Sequence, residues 1–160
     1  MTETIPGPST QPAGRDDALQ RLLDERAIEA VCIRYGTAID DRDWDRLRTC
    51  FTESAVTEYE GLGAFEGYQA IEEVCRAAVT PLTRSQHLFG NITVDVTGDT
   101  ATGQCYLQAQ HVRTDAEGGP NFIIAGRYSD RFVRTEEGWR FAWRRLETWW
   151  TEGNPAVLQL

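Results

Sequence analysis

Apolar positions in the first half of the chain recur at helical steps, and in the second half at every second residue. From Asp16 onward, Leu19, Leu22, Leu23, Ala27, Val31, Tyr35 and Ala38 follow at three- and four-residue intervals, the spacing of one face of an α-helix. This helix should end near Ile39–Asp41. Asp43 then stands where a short second helix, Trp44–Cys50, needs a cap for its free backbone amides. The pattern predicts a strand at about 55–60 (AVTEYE). The Gly-rich turn GLGAFEG leads into a third helix at about 67–78, and Pro81 ends it.

Beyond Pro81 the period changes to two. Ile92, Val94 and Val96 alternate with Asn91, Thr93 and Asp95, and Gly98-Asp99 makes a turn. A strand over 101–113 puts Cys105, Leu107, Ala109 and His111 on one face. Gly118-Gly119-Pro120 is a loop, 121–134 the next strand, and a TEEG turn leads into a last strand, 139–149. Helices first and an antiparallel meander afterwards define an α+β fold, a curved sheet wrapped over N-terminal helices. The concave side should enclose a pocket against the first helix. The convex side should carry leftover aromatics, Trp139, Phe141 and Trp143, against another subunit.

With 160 residues, the chain has room for one domain. Residues 1–15 are polar, hold three of the six prolines and lack the basic and apolar regions of a secretory signal. They read as a disordered tail before a domain at 16–152, with a second tail at 153–160. The net charge of −9 argues against nucleic acid and anionic membrane surfaces as partners. No apolar run is long enough to span a bilayer. All 16 basic residues are Arg, so Schiff-base and P-loop lysine chemistry are absent. The four cysteines (Cys32, Cys50, Cys75, Cys105) have no metal-site spacing and read as buried thiols of a cytoplasmic protein.

Only two histidines remain for acid–base work. His111 shares the apolar parity of Leu107 and Ala109 and so points inward. His87 opens the strand that starts near Leu88. Asp40 ends the long helix, with Tyr35 a little over one turn before it. A histidine at a strand start is ordinarily structural, and an aspartate at a helix end is ordinarily a solvated cap. A buried aspartate beside a histidine, however, fixes one tautomer and makes the ring a base near neutral pH.

Several stretches resemble known families. IDDRDWDRL (39–47), TEYEG (57–61), RSQHLFGN (84–91) and QHVRTD (110–115) resemble scytalone dehydratase. EGLGAFEG (60–67) and IIAGRYSDRFVRTEEGWRF (123–141) resemble hexachlorocyclohexane dehydrochlorinase. Both belong to the SnoaL-like branch of the nuclear-transport-factor-2-like superfamily, and the resemblance covers about residues 17–150. It implies a cone-shaped α+β barrel and a cofactor-independent lyase acting by an Asp–His dyad on a bulky apolar or aromatic hydroxylated small molecule. By the same resemblance Asp40 and His87 match that dyad, with His87 as the base. His111 matches the histidine that helps the leaving hydroxyl depart, and Tyr59 a tyrosine that holds a water on the substrate carbonyl. Arg144 matches the arginine that assists a departing anion, and Tyr35 a tyrosine of the bile-acid dehydratase relatives. A second water-holding tyrosine of the scytalone enzyme is Ile39 here, and its pocket Ser and Asn fall near Gly126 and Tyr128. These departures point away from scytalone itself and from a chlorinated ring.

Phe51, Leu62, Phe65, Leu88, Phe89, Ile124 and Tyr128 are the candidate pocket walls, with the tryptophans beside them. The resemblance also implies a homo-oligomer, a trimer before a dimer, and no metal or organic cofactor. Two readings stay open beside the dehydratase: a polyketide or natural-product cyclase or isomerase on the same dyad, and a non-catalytic ligand-binding or assembly module. Two histidines and a carboxylate can also hold Fe(II), a use the resemblance does not support.

Overall fold

A computed structural model describes residues 13–158, so the expected tail at residues 1–12 lies outside the described residues. Three helices, α1 (Ala13–Asp41), α2 (Trp44–Arg48) and α3 (Tyr68–Val79), stand against six strands. These are β1 (Phe51–Tyr59), β2 (Gly63–Glu66), β3 (Arg84–Thr97), β4 (Thr100–Val112), β5 (Asn121–Thr135) and β6 (Gly138–Gly153). They form one sheet in the order β2-β1-β6-β5-β4-β3. Every pair is antiparallel except β1 with β6, which is parallel. The long strands curl around α1 and α3, giving the expected cone-shaped α+β barrel with a core between sheet and helices.

Asp43 caps α2 by accepting from the backbone N–H of Arg46 at 3.0 Å. Several boundaries differ from the sequence reading: β1 starts at Phe51 instead of about 55 and β3 at Arg84 instead of near Leu88. α1 begins at Ala13, inside the expected tail. β2 occupies part of the expected Gly-rich turn: Gly61 (φ 84°) and Gly63 (φ 110°) confine the reversal to a few residues, and Phe65 already pairs with Thr57. At the other end, β6 runs to Gly153 and a single 3₁₀ turn (Pro155–Val157) buries Val157, so this segment packs onto the domain.

The helix face that meets the sheet also differs. Leu19, Leu22 and Leu23 are each more than half exposed, while Asp24, Ile28, Val31, Cys32, Tyr35, Ala38 and Ile39 are buried. The inward stripe begins at Asp24, one residue and about 100° of rotation from Leu23. A charged residue opens it, which apolar periodicity cannot select. Asp24 takes a two-pronged ion pair from Arg134 (2.7 and 2.8 Å) and the indole N–H of Trp139 (3.0 Å), tying α1 to β5 and β6. These bonds, Arg134 foremost, hold the Asp24 carboxyl down at about 2.

Trp139 and Phe141 are therefore core residues, not convex aromatics, and Trp143 is half-buried with its indole N–H on Glu58 (2.8 Å). On the four long strands the large apolar side chains left outside are Leu88, Tyr106, Trp149 and Trp150. The cause is a set of β-bulges. β3 carries an extra residue at Asn91 (φ 50°), and β6 carries extra residues at Ala142 and Trp149. Each bulge changes which alternate residues face inward. On β3, Ser85, His87 and Phe89 point in, and so do Ile92, Val94 and Val96. On β6, Phe141 and Arg144 both do.

Candidate active site

A cavity of about 390 Å³ lies between α1, α3 and the concave face of β3–β6. α1 brings Asp40 to it because Gly36 lets the helix sit directly on β3. A Cβ at Gly36 would stand 2.5 Å from Phe89 Cε2 and 3.2 Å from His87 Cβ. The chain then leaves the helix at Arg42 (φ 56°), whose guanidinium donates to the carbonyls of Val79 and Leu82, fixing this end of α1 against α3.

Asp40 accepts three hydrogen bonds. The His87 ring gives one at Nδ1 (2.7 Å), the His87 backbone N–H a second (2.8 Å), and the Ser85 hydroxyl a third (2.8 Å). Burial pushes the Asp40 carboxyl up, but the bonds from His87 and Ser85 outweigh it and hold it below its ordinary value. The carboxylate is thus ionised, Nδ1 carries the proton, and Nε2 is left as the basic atom of a ring that lines the cavity.

The His111 ring meets that of His87 edge to face, with centroids 5.9 Å apart. Its Nδ1 is buried without a protein partner. Burial first, and the neighbouring His87 second, lower its pKa to about 4. His111 is therefore neutral at neutral pH and can orient a hydroxyl, but it cannot be a standing cation.

Three phenols meet at the buried end of the cavity. The Tyr35 hydroxyl is 3.2 Å from that of Tyr59 and 3.4 Å from that of Tyr128. Burial raises the pKa of all three well above the ordinary value, so they are neutral donors. The Tyr59 hydroxyl also reaches the Cys75 thiol at 3.7 Å, and burial pushes that thiol up to about 11.

Arg144 does not line the cavity. It is fully buried behind the phenols, paired with Asp130 through Nε (2.8 Å) and Nη2 (3.0 Å). Its guanidinium carbon lies 3.9 Å from the Tyr128 ring centroid and 4.4 Å from that of Tyr35. Burial raises the Asp130 carboxyl, against the pull of Arg144. Arg144 therefore lies against the phenol rings and does not reach the cavity, where the expected contact with a departing anion would be made.

Of the expected walls, Leu62, Ile124 and Tyr128 line the cavity. Phe51 is in the core, stacked at 5.2 Å on Phe141. Phe65 packs on Tyr59 at 6.0 Å, outside the cavity. Leu88 points to the convex side, opposite to His87, as strand parity requires. Phe89 is inward but stacked between Tyr35 and Tyr128. The α3 face (Val74, Cys75, Ala78) and Leu158 line the cavity and were missed, as were Ser85 and Asp130. Ser85 shares the parity of His87, and Asp130 that of Tyr128 and Phe132, a signal that was available.

Among the described residues, no three His, Cys, Asp or Glu side chains stand together as metal ligands. Asp40 is spent on His87 Nδ1 and does not converge with both histidines. The four cysteines are unpaired and buried. No described helix is long and apolar enough to cross a membrane.

A family model described as a SnoaL-like domain matches residues 20–145. An uncharacterized protein of Mycobacterium tuberculosis is 32% identical over 135 residues, which cover 82% of this chain and 88% of that one. Scytalone dehydratase of Colletotrichum orbiculare is 24% identical over 141 residues, covering 81% of this chain and 75% of that one. The solved hexachlorocyclohexane dehydrochlorinase of Novosphingobium barchaimii has the same fold, with a TM-score of 0.76 at 19% identity over 89% of this chain and 98% of that one.

Proposed function

The chain belongs to the SnoaL-like domain family, in the nuclear-transport-factor-2-like superfamily, and from that premise we propose that it is a cofactor-independent acid–base lyase. The reaction is elimination of water from a bulky apolar or aromatic hydroxylated carbonyl compound. The observation that carries this reading is the Asp40–His87 pair, with three hydrogen bonds on one carboxylate and His87 on the wall of an apolar cavity.

His87 Nε2 removes the proton alpha to the carbonyl, and Asp40 stabilises the imidazolium that forms. The phenol end of the cavity donates to the developing enolate oxygen, where such donors contribute most in a dry site. The enolate then expels the hydroxyl, which takes the proton back from His87 and leaves as water. His111, neutral with one free nitrogen, orients the departing hydroxyl. Acid–base help of this kind contributes roughly 10²–10⁴-fold. The exposed Leu88, Tyr106, Trp149 and Trp150 on the convex face support work as a homo-oligomer, for which the family resemblance favours a trimer over a dimer, and the unpaired cysteines fit the cytoplasm.

The test is a mass-spectrometric screen of aromatic polyketides, hydroxy-ketones and sterol-like alcohols with wild type beside His87→Ala. A loss of water seen only with wild type is the expected result. A product of unchanged mass that depends on His87 replaces the lyase with a cyclase or isomerase. Retained ligand without any His87-dependent product overturns the enzyme reading in favour of a binding module.

A further inference from the structure

Tyr128 sits with Tyr35 and Tyr59 in a chain of hydroxyls whose hydrogens do not balance. Three O–H groups form two contacts, Tyr59 to Tyr35 and Tyr35 to Tyr128, so one hydrogen has no phenol to receive it. At the Tyr59 end the only further partner is the Cys75 sulfur at 3.7 Å, a weak acceptor. At the Tyr128 end the described residues supply none. When the bonds run Tyr59 to Tyr35 to Tyr128, each polarises the next, and the free hydrogen belongs to Tyr128.

The guanidinium of Arg144 lies against the rings of the same two phenols, 3.9 Å from the Tyr128 centroid and 4.4 Å from that of Tyr35. A cation on the π face draws electron density from the ring and strengthens the O–H as a donor. Asp130 pairs with Nε and Nη2, so the cation acts on the phenols locally, through their ring faces, and not as a free charge in the cavity; its Nη1 is buried without a hydrogen-bond partner. This end of the cavity favours an oxygen that bears negative charge.

The rest of the cavity restricts what carries that oxygen. The chain has no Lys, and among the described residues no Arg lines the cavity. The one carboxylate on its wall, Glu60, is in the exposed Glu60–Leu62 segment, held by the backbone N–H of Thr148 at 2.7 Å. A ligand with a carboxylate or phosphate would pass that group and meet no counter-charge inside.

We infer that Tyr128 is the terminal donor of a three-phenol relay that receives, directly and without an intervening water, the carbonyl or phenol oxygen of an otherwise uncharged ring compound. This rests on the reading of the cavity as the place where an enolate forms, and it names the donor and the substrate class. Arg144 is the positioning residue behind the relay.

Four probes test it without turnover, so its failure is separate from failure of the His87 experiment. 4-Nitrophenol reports its own ionisation by visible absorbance, naphthalene fills the cavity without an oxygen, 2-naphthol adds a phenol oxygen to the same rings, and 2-naphthoate replaces it with a carboxylate. Wild type should bind nitrophenol as the phenolate, with its apparent pKa lowered on binding. Tyr128→Phe should weaken nitrophenolate binding about ten- to hundredfold and raise the bound pKa, with naphthalene affinity unchanged. Wild type should bind 2-naphthoate more weakly than 2-naphthol. The same nitrophenol affinity and bound pKa in Tyr128→Phe would overturn the proposal. So would an equal loss of naphthalene, which would make Tyr128 a wall only, or tighter binding of the naphthoate.

Discussion

Replacing Asp40 by Asn changes one atom and should abolish most of the activity. The wild-type carboxylate accepts from three donors, the His87 ring, the His87 backbone and Ser85. Asparagine can accept on one side only. If its oxygen faces the ring and Ser85, its NH₂ meets the His87 backbone N–H, and two donors oppose each other. If it flips, its NH₂ meets His87 Nδ1, which must become the acceptor, and the proton moves to Nε2. That is the atom that faces the substrate, so the base is lost. Either state leaves one donor of a half-buried cluster unpaired, costing about 1–3 kcal/mol, or about 2–12 °C in Tm for a domain of this size. The fold should survive. Turnover should fall about 10³–10⁴-fold, the scale seen when a catalytic histidine is held in the wrong tautomer. ¹⁵N NMR of the imidazole would read the tautomer directly, beside kcat on whichever substrate the screen yields. A folded Asp40→Asn protein with wild-type kcat and an unchanged tautomer would refute the reasoning.

Other outcomes follow from the same geometry. His111 is held neutral, its pKa lowered to about 4 from an ordinary 6.5. The unfolded chain therefore takes a proton first as pH falls. Stability should be full above pH 6.5 and drop between 6.5 and 4 by about 3 kcal/mol; urea melts at several pH values should show a shallower acid loss in His111→Phe. Arg144→Met should cost about 3–5 kcal/mol by leaving Asp130 as an unpaired buried charge, and adding Asp130→Leu should restore most of it; a double variant as unstable as the single would contradict the pairing. Trp149→Glu with Leu88→Glu should lower the oligomeric state in sedimentation while leaving the circular dichroism unchanged.

The order of elements was legible because period 3.6 and period 2 leave different traces, and the inward face of β4 from Cys105 to His111 needed nothing else. The dyad could be named by resemblance, with both partners at element ends. What was not legible depended on register. Simple alternation through Trp139, Phe141 and Trp143 treats them as one face, while the bulge at Ala142 sends Arg144 inward instead of Trp143. Aromatic character does not distinguish a core from a cavity, so Phe51 reads as a pocket wall in the sequence although it is buried in the core. Leu19, Leu22 and Leu23 gave a clear helical stripe on the solvent side, since the inward stripe is opened by Asp24, whose partners Arg134 and Trp139 lie 110 and 115 residues away.

The alternation of a strand between inside and outside behaves like a reading frame, and each bulge is a one-residue frameshift. Removing Asn91, Ala142 or Trp149 would leave an ordinary strand in which His87, Arg144 and the cavity threonines Thr148 and Thr151 still face inward. Removing Gln108, in the regular part of β4, would invert every residue on one side of it, His111 among them. Single-residue gaps between this chain and other members of its family should therefore gather at these three positions. Insertions and deletions could drift there through evolution while the chemistry inside the cone keeps its frame.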